Sequence, residues 1–245
     1  MGTALFPARS VLCSMEITIS HLLEGARQAR GLAVIIDVFR AFSLECHLFA
    51  RGADRVLAVG SLEKAYELKN AVPDAVLVGE RKGKPLPGFD CGNSPALIRG
   101  TEIEGRTVIH TTSAGTQGID AASSADEVIT GSLVNAAAVA EYIRRSDPSR
   151  VSLVCMGLRA KEIAPEDLMC AEYIRSLLLG EPWDDNFFES QVNELRHTSG
   201  ARFFDPAEQD SMPREDFYLC TQRDVFPFII RADAKNGYFE MKRIW

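Results

Sequence analysis

The 245-residue chain lacks several features that mark specialised protein classes. Its longest apolar runs, such as Leu32–Ile36, are far shorter than the ~20 residues of a membrane-spanning helix. Its six cysteines form no C-x-x-C pair and no zinc-finger spacing, so we expect reduced thiols in a cytoplasmic protein. Runs of Lys or Arg are also missing, and the net charge is −7. We therefore expect neither a membrane nor a nucleic acid as a partner.

The N-terminal segment differs from the rest of the chain. Residues 1–14 hold one Arg, one Pro and no sustained apolar segment, which is unlike a secretory signal peptide. Met15 opens a strand-like alternation. We predict an N-terminal arm over residues 1–14 and a single domain over residues 15–245, because a chain of this length can bury one large core. Two domains with a boundary near Pro148 or Gly180 are the alternative.

Apolar strand-like runs alternate with segments of helical periodicity. Because the strand runs are apolar throughout, helices are expected to cover both of their faces. The pattern predicts an α/β fold of three α/β/α layers with a largely parallel or mixed sheet. The predicted strands are 32–36, 56–59, 75–78, 107–109, 128–129 and 151–154, and the predicted helices are 41–50, 62–71, 116–122, 133–145 and 165–179. Residues 181–245 are expected to add helices, loops and a late strand over 226–230.

A polar segment comes after the strand predicted over residues 75–78. Residues 79–95 combine acidic, basic and amide side chains with several Gly and Pro. Since Pro lacks a donor and Gly favours unusual dihedral angles, we predict that this segment is neither helix nor strand. Open α/β sheets bind ligands in such loops at the carboxyl ends of strands. A solvated connection is the alternative.

Asp37 also comes directly after a predicted strand, with Arg40 three residues later. The D-x-D motif of haloacid-type phosphatases is not formed, because Phe39 stands at its second position. Asp37 is therefore expected to be a metal ligand or a general base. Capping of the helix predicted from Ala41 is the alternative.

The hydroxyl-rich residues 111–116 lie between a predicted strand and a predicted helix. Hydroxyl groups and a Gly at such a turn offer hydrogen-bond donors to an anion, although an ordinary helix N-cap is the alternative. His110 precedes this turn, with a core position as its alternative role. Cys155 lacks the C-x5-R spacing of a thiol phosphatase, because Arg159 comes too early.

Four segments together carry a family resemblance. They are Ile36-Asp37-Val38-Phe39-Arg40-Ala41, Gly79-Glu80-Arg81, Pro87-Gly88-Phe89-Asp90-Cys91-Gly92-Asn93-Ser94-Pro95 and Thr111-Thr112-Ser113-Ala114-Gly115-Thr116. In this order they resemble the 2-phosphosulfolactate phosphatases, the magnesium-dependent hydrolases of coenzyme M biosynthesis. The third segment is the most specific. The similarity runs from about Ile17 to Phe228.

The resemblance implies hydrolysis of a small anionic phosphate monoester with Mg²⁺ as cofactor. The partner would be a small-molecule phosphate or sulfonate, and the oligomeric state is left open, a homo-oligomer included. Catalytic and metal-binding roles are implied for Asp37, Glu80 and Asp90, without a division of labour among them. Substrate binding is implied for Arg40, Arg81, Asn93, Ser94, Thr111, Thr112, Ser113, Gly115 and Thr116. Arg40 and Arg81 are expected to clamp anionic oxygens in a fork.

The sequence also departs from the family pattern. Residues 42–44 keep one hydroxyl, Ala114 stands where the family has Asn, and the stretch after Cys155 has fewer Gly. A phosphatase for another phosphorylated acid is therefore an alternative, as is a non-catalytic binder of an anionic metabolite. The acids at 37, 80 and 90 favour an enzyme, since an anion binder gains nothing from carboxylates near its ligand.

Overall fold

The computed structural model describes residues 15–81, 84–112 and 114–245, and the predicted arm over residues 1–14 lies outside them. The strands are β1 Glu16–His21, β2 Leu32–Ile36, β3 Arg55–Ala58, β4 Val76–Arg81, β5 Lys84–Pro85, β6 Thr107–Thr111, β7 Glu127–Gly131, β8 Arg150–Cys155, β9 Ile229–Ala234 and β10 Phe239–Ile244. The α-helices are α1 Leu22–Gln28, α2 Ala41–Ala50, α3 Leu62–Ala71, α4 Gly115–Ala121, α5 Ala136–Ser146, α6 Pro165–Leu179, α7 Asp185–Leu195 and α8 Arg214–Thr221. Short 3₁₀ helices cover Leu97–Gly100, Leu133–Asn135, Ala201–Phe204 and Pro206–Glu208. None of the helices in these ranges combines the length and apolar character needed to cross a membrane.

The ten strands form one mixed sheet in the order β1-β8-β2-β7-β9-β10-β3-β6-β4-β5. Strands β1, β8, β2 and β7 are mutually parallel, and so are β3, β6 and β4. The β9–β10 hairpin lies between these groups and pairs antiparallel with both neighbours. Because three antiparallel pairings separate β7 from β3, the two parallel groups run in opposite directions.

Helices cover both faces of the sheet, which confirms the three-layer α/β prediction. Ile35 of β2, Phe42 of α2 and Val108 of β6 share one buried core. Side chains of both parallel groups and of α2 therefore meet in one core. The opposite face of β2 packs Val34 with Ile174 of α6 in a second core. Strand β2 thus buries side chains on alternate faces, as its continuous apolar sequence requires.

Helix α6 has clear start and stop signals in its sequence. Pro165 occupies its first turn, where a missing N–H costs nothing, and Glu166 and Asp167 lie beside it. Gly180 ends the helix in the left-handed conformation, with φ of 69°. Helices α2, α3 and α6 have the bounds that the sequence predicts.

Two strand predictions need correction. The segment from Gly79 was expected to be irregular, but residues 79–81 continue β4 and Lys84–Pro85 form β5, which pairs with it. Gly79 pairs with Thr111, and a Cβ on Gly79 would lie 2.5 Å from the Thr111 carbonyl oxygen. Glycine thus permits a close approach of two strands here. The late strand predicted over 226–230 instead begins at Ile229.

Candidate active site

A pocket of about 360 Å³ lies where the loops after β2, β4, β6 and β8 meet. Five residues that the sequence predicts for the site line it, namely Asp37, Arg40, Glu80, Asn93 and Thr112. The pocket is also lined by Phe39, Ala114, Gly157, Leu158, Arg159, Arg202, Glu208 and Met212. It therefore combines loops of both parallel groups with the segment before α8.

Asp37 lies just after β2 and is 7% exposed. Its Oδ1 accepts a hydrogen bond from the first N–H of α2, that of Ala41, at 3.2 Å. Its Oδ2 approaches Gly115, where a Cβ would lie 3.3 Å from this oxygen. Asp37 thus caps the start of α2 through Oδ1 and also contributes a carboxylate to the pocket.

The charge balance around Asp37 is unfavourable for an ionised carboxyl. Burial raises the pKa of Asp37 to about 6, and the Ala41 N–H opposes this increase. The negative charges of Glu80 and Glu166 raise the pKa of Asp37 further. Burial, together with the charges of Asp37 and Glu166, also raises the pKa of Asp167. The pocket end of the sheet thus concentrates acidic groups that a cation would stabilise.

Asp167 holds two of the pocket loops together. Its Oδ1 accepts from the Val38 N–H at 2.8 Å, and its Oδ2 accepts from the Gly157 N–H at 2.8 Å. These donors come just after the neighbouring strands β2 and β8. One buried carboxylate therefore fixes the backbone on both sides of the pocket.

Arg40 reaches the pocket from a buried position. Its Nη1 donates to Oδ2 of Asp216 at 2.6 Å and to the Ser211 carbonyl at 2.8 Å. Burial raises the pKa of Asp216, whereas the Arg40 charge and the Ala96 N–H oppose the increase. The ion pair fixes the guanidinium with one nitrogen turned away from the pocket.

Arg202 is a second pocket arginine, which the sequence reasoning missed. Its Nη2 donates to the Phe39 carbonyl at 3.3 Å, while its buried Nε has no hydrogen-bond partner in the described part of the chain. Burial lowers the pKa of the Arg202 guanidinium, and the charges of Glu166 and Asp37 oppose the decrease. Arg202 thus supplies positive charge and an unused donor next to the acidic groups.

Asn93 connects the pocket to a buried polar chain. Its Oδ1 lies 3.0 Å from Nε2 of His110, and Nδ1 of His110 lies 2.9 Å from Oε1 of Glu45. His110 and Glu45 are fully buried. The contact with His110 fixes the side-chain amide of Asn93 at the pocket wall. His110 therefore has the core position that was its alternative role. From this position it supports Asn93, which lines the pocket.

The hydroxyl-rich turn divides into lining and supporting residues. Thr112 lines the pocket, and its Oγ1 accepts from the Thr116 N–H at 3.3 Å. Thr116 in turn donates from Oγ1 to the Thr112 carbonyl at 3.3 Å. Gly115 allows the close approach to Asp37 described above, and Ser113 lies outside the described residues.

Four predicted site residues have side chains that do not line the pocket. Arg81 donates from Nη2 to Oγ1 of Thr111 at 3.1 Å and from Nη1 to the Glu80 carbonyl at 2.8 Å. Exposed Asp90 accepts from the Leu77 N–H at 2.8 Å. Ser94 and Thr111 are fully buried, and Ser94 donates to Asp216 at 2.8 Å. The structure therefore does not bring Arg81, Asp90, Ser94 or Thr111 to the pocket with Asp37.

A larger groove of about 1480 Å³ lies between α4 and the β9–β10 hairpin. It is lined by Thr116 and by surface residues of mixed charge such as Arg231 and Asp233, which form an ion pair of 2.8 Å. Its charged side chains thus partly neutralise one another. The smaller pocket, with its buried acids and arginines, is the better candidate for catalysis.

The donor set of the pocket fits Mg²⁺. No group of three His, Cys, Asp or Glu side chains within residues 15–81, 84–112 and 114–245 is arranged to hold a metal ion. Mg²⁺ does not require such a group, because it usually takes one or two protein carboxylates and keeps several waters. Asp37 and Glu80 provide two carboxylates in one pocket, and the charge of Glu80 raises the pKa of Asp37.

Little in the sequence pointed to the pocket residues after position 156. Arg202 precedes the pair Phe203-Phe204 in a segment without clear periodicity. Its guanidinium lies 5.2 Å from the ring centroid of Phe203, which packs it into the site. The paired aromatic residues were the one available signal that this segment packs inward.

Comparisons with known proteins agree with the resemblance and confirm it. The 2-phosphosulpholactate phosphatase family model matches residues 17–235. A probable 2-phosphosulfolactate phosphatase of Symbiobacterium thermophilum is 38% identical over 201 residues, which cover 80% of this chain and 85% of that relative. A protein of the same name from Bacillus subtilis is 27% identical over 213 residues, which cover 86% of this chain and 91% of the relative. The chain therefore belongs to the 2-phosphosulpholactate phosphatase family.

Proposed function

We propose that this protein hydrolyses 2-phosphosulfolactate to 3-sulfolactate and phosphate, with Mg²⁺ as cofactor, in the pocket of Asp37. The observation that carries the proposal is that the carboxylates of Asp37 and Glu80 share one small pocket with the guanidinium groups of Arg40 and Arg202. Carboxylates suit a cation or a nucleophilic water, and guanidinium groups suit anionic oxygens. Hydrolysis of a phosphate monoester needs both.

Asp37 and Glu80 would hold the Mg²⁺. When bound, this ion neutralises phosphate charge and lowers the pKa of a bound water. If only one of the two carboxylates is a ligand, which suffices for Mg²⁺, the other can accept the proton of the attacking water. The guanidinium groups of Arg202 and Arg40 line the pocket and can donate to phosphate oxygens, since Arg40 engages only Nη1 with Asp216.

The size of the barrier explains why so many groups converge. Enzymes accelerate phosphate-monoester hydrolysis by up to ~10²¹-fold, which corresponds to more than ~20 kcal/mol. One charged hydrogen bond contributes roughly 1.5–3 kcal/mol, so a single arginine is insufficient. Asn93 and Thr112 line the same pocket and can add uncharged contacts.

The proposal extends to the pathway and the location of the protein. We assign the reaction to coenzyme M biosynthesis, as the resemblance implies. A cytoplasmic location is supported by the free thiols of Cys46, Cys91, Cys155, Cys170 and Cys220, which are all buried. The alternative function is non-catalytic binding of an anionic metabolite in the same pocket.

Phosphate release distinguishes these functions. The purified protein should release phosphate from 2-phosphosulfolactate with Mg²⁺, and EDTA treatment should abolish the release until Mg²⁺ is added back. Binding of the ester without phosphate release would favour the non-catalytic alternative. Full activity after EDTA treatment would exclude a metal requirement. A generic aryl phosphate tests whether the pocket hydrolyses esters without a sulfonate.

A further inference from the structure

The loop after β8 contains two consecutive residues in an unusual backbone conformation. Arg159 has φ of 56° and Ala160 has φ of 55°. Non-glycine residues rarely adopt this left-handed region, because their Cβ approaches the following carbonyl oxygen. Residues held in this way cluster at ligand-binding positions, where the surrounding structure enforces them. Arg159 is one of the residues that line the pocket.

The surrounding structure does enforce this turn. The Leu158 N–H donates to the Glu162 carbonyl at 2.8 Å, and the Glu162 N–H donates back to the Leu158 carbonyl at 3.2 Å. Gly157 precedes the turn, and a Cβ there would lie 2.1 Å from the Glu162 carbonyl oxygen. The two hydrogen bonds between Leu158 and Glu162 therefore hold the backbone on both sides of Arg159.

Arg159 differs from the other pocket arginines in its environment. Arg40 is paired with Asp216, and Arg202 is half-buried beside acidic groups. Arg159 is exposed, and within the described ranges its side chain makes no hydrogen bond or ion pair. Its charge is thus available at the rim of the pocket, whereas Asp37 is buried at 7% exposure.

The charges of the pocket show why such a cation is useful. Asp37, Glu80 and Glu208 face Arg40, Arg159 and Arg202, and Asp216 offsets the charge of Arg40. These four acids already outnumber the three arginines by one, and loss of Arg159 would double this excess of negative charge. A 2-phosphosulfolactate molecule carries phosphate, carboxylate and sulfonate groups, so its entry would be opposed.

We propose that Arg159 is a specificity-determining residue that binds the sulfonate of the substrate at the rim while the phosphate lies against Asp37 and Arg202. This inference rests on the proposed function. A sulfonate has three oxygens on a tetrahedral sulfur and one negative charge, which suits the donors of a guanidinium. The left-handed turn fixes the backbone from which the Arg159 side chain reaches the rim.

Two substrates and three variants test the inference. 2-Phospholactate has a methyl group where 2-phosphosulfolactate has its sulfonatomethyl group, so the two esters differ only in the sulfonate. Arg159→Gly removes the guanidinium and also removes the steric cost of the left-handed conformation at this residue. Ala160→Gly removes the same cost at the neighbouring residue without a change in charge, and is the matched control. Arg159→Lys keeps the charge but not the planar fork.

The ratio of kcat/KM for the two esters is the readout. Arg159→Gly should lower kcat/KM for 2-phosphosulfolactate about 10- to 100-fold, as expected for one charged contact, and leave that for 2-phospholactate within about threefold. Arg159→Lys should restore part of the loss. Ala160→Gly should change neither value by more than about threefold.

Failure of the role of Arg159 and failure of the proposed function would give different results. Equal loss on both esters in Arg159→Gly, or no loss on either, would overturn the role of Arg159 while leaving the proposed function intact. A wild-type protein that does not prefer the sulfonated ester would also overturn it. If the wild type hydrolyses neither ester, the proposed function fails. In that case the dissociation constants of the two esters are measured by calorimetry. Arg159→Gly should then weaken binding of 2-phosphosulfolactate but not of 2-phospholactate, and equal effects on the two esters would overturn the role of Arg159.

Discussion

Nη1 of Arg40 lies 2.6 Å from Oδ2 of Asp216, and both side chains are buried. Asp216 also accepts from Ser94 Oγ at 2.8 Å and from the Ala96 N–H at 2.9 Å. One carboxylate of α8 therefore joins the pocket arginine to the Gly-Asn-Ser-Pro segment. This relationship gives Ser94 a supporting position, since its hydroxyl is directed to Asp216 rather than into the pocket.

Asp216→Asn should destabilise the protein. The substitution leaves the Arg40 guanidinium buried without its counter-ion, and breaking a buried pair in this way costs about 3 kcal/mol in the free energy of unfolding. Denaturant unfolding measures this loss. Asp210→Asn, an exposed position nearby in sequence, is the control and should change the free energy of unfolding by less than about 0.5 kcal/mol. Equal stability of the two variants would show that the pair contributes nothing.

Arg202→Ala should impair catalysis more than folding. The change removes a half-buried cation that lines the pocket with the acids, so kcat/KM should fall about 30- to 1,000-fold, equivalent to roughly 2–4 kcal/mol. Arg202→Lys should recover part of this loss, because a point charge cannot form two parallel hydrogen bonds. Steady-state phosphate release measures both values.

Arg214→Ala is the matched control for Arg202. Arg214 is exposed and also lies over an aromatic ring, that of Phe204, at 5.4 Å. Its removal should leave kcat/KM within about threefold. If Arg202→Ala retained normal specific activity in its folded fraction, Arg202 would be structural.

His47 makes stability depend on pH. Burial lowers the pKa of His47 to about 4, and the charges of Arg99 and Arg51 add to this decrease. The unfolded chain binds a proton at His47 below pH 6.5, whereas the folded chain remains neutral there until about pH 4. The contribution of His47 to stability is therefore full above pH 6.5 and is lost as the pH falls to 4, by about 3 kcal/mol.

His47→Gln tests this pH dependence. The difference between the wild-type and variant free energies of unfolding should shrink as the pH falls from 7 to 4.5. His197→Gln, at an exposed position, should leave that profile unchanged. A wild-type profile that His47→Gln does not alter between these pH values would contradict the prediction.

The sequence predicted the parallel parts of the sheet well but not its centre. Apolar runs such as Leu32–Ile36 are buried on both faces, so their pattern is unambiguous. Strand β10 escaped prediction because charged Lys242 and Arg243 interrupt its pattern and lie on its exposed part. One of its two partners is the distant strand β3, and such long-range pairing leaves no local signal.

The candidate site was predicted in part for a similar reason. Asp37 lies just after β2, Glu80 lies near the end of β4 and Thr112 lies just after β6, so the strand pattern marks each of them as a residue at the carboxyl end of a strand. Asp90 belongs to the same polar segment of the sequence as Glu80, but its backbone and side chain bond to Leu77, before the end of β4. Arg202 enters the site through packing of its segment on Phe39, which no local pattern encodes.

The family resemblance implies the same catalytic and metal-binding roles for Asp37 and Asp90. A comparison of the two residues therefore tests the location of the active site. Asp37 lies in the pocket, whereas exposed Asp90 caps the Leu77 N–H. Asp37→Asn should lower kcat/KM for 2-phosphosulfolactate at saturating Mg²⁺ by at least about 1,000-fold, since it removes a metal ligand or base. Asp90→Asn keeps an acceptor for Leu77 and should remain within about threefold of the wild type. Comparable losses in both folded variants, or full activity in Asp37→Asn, would contradict the assignment of catalysis to this pocket.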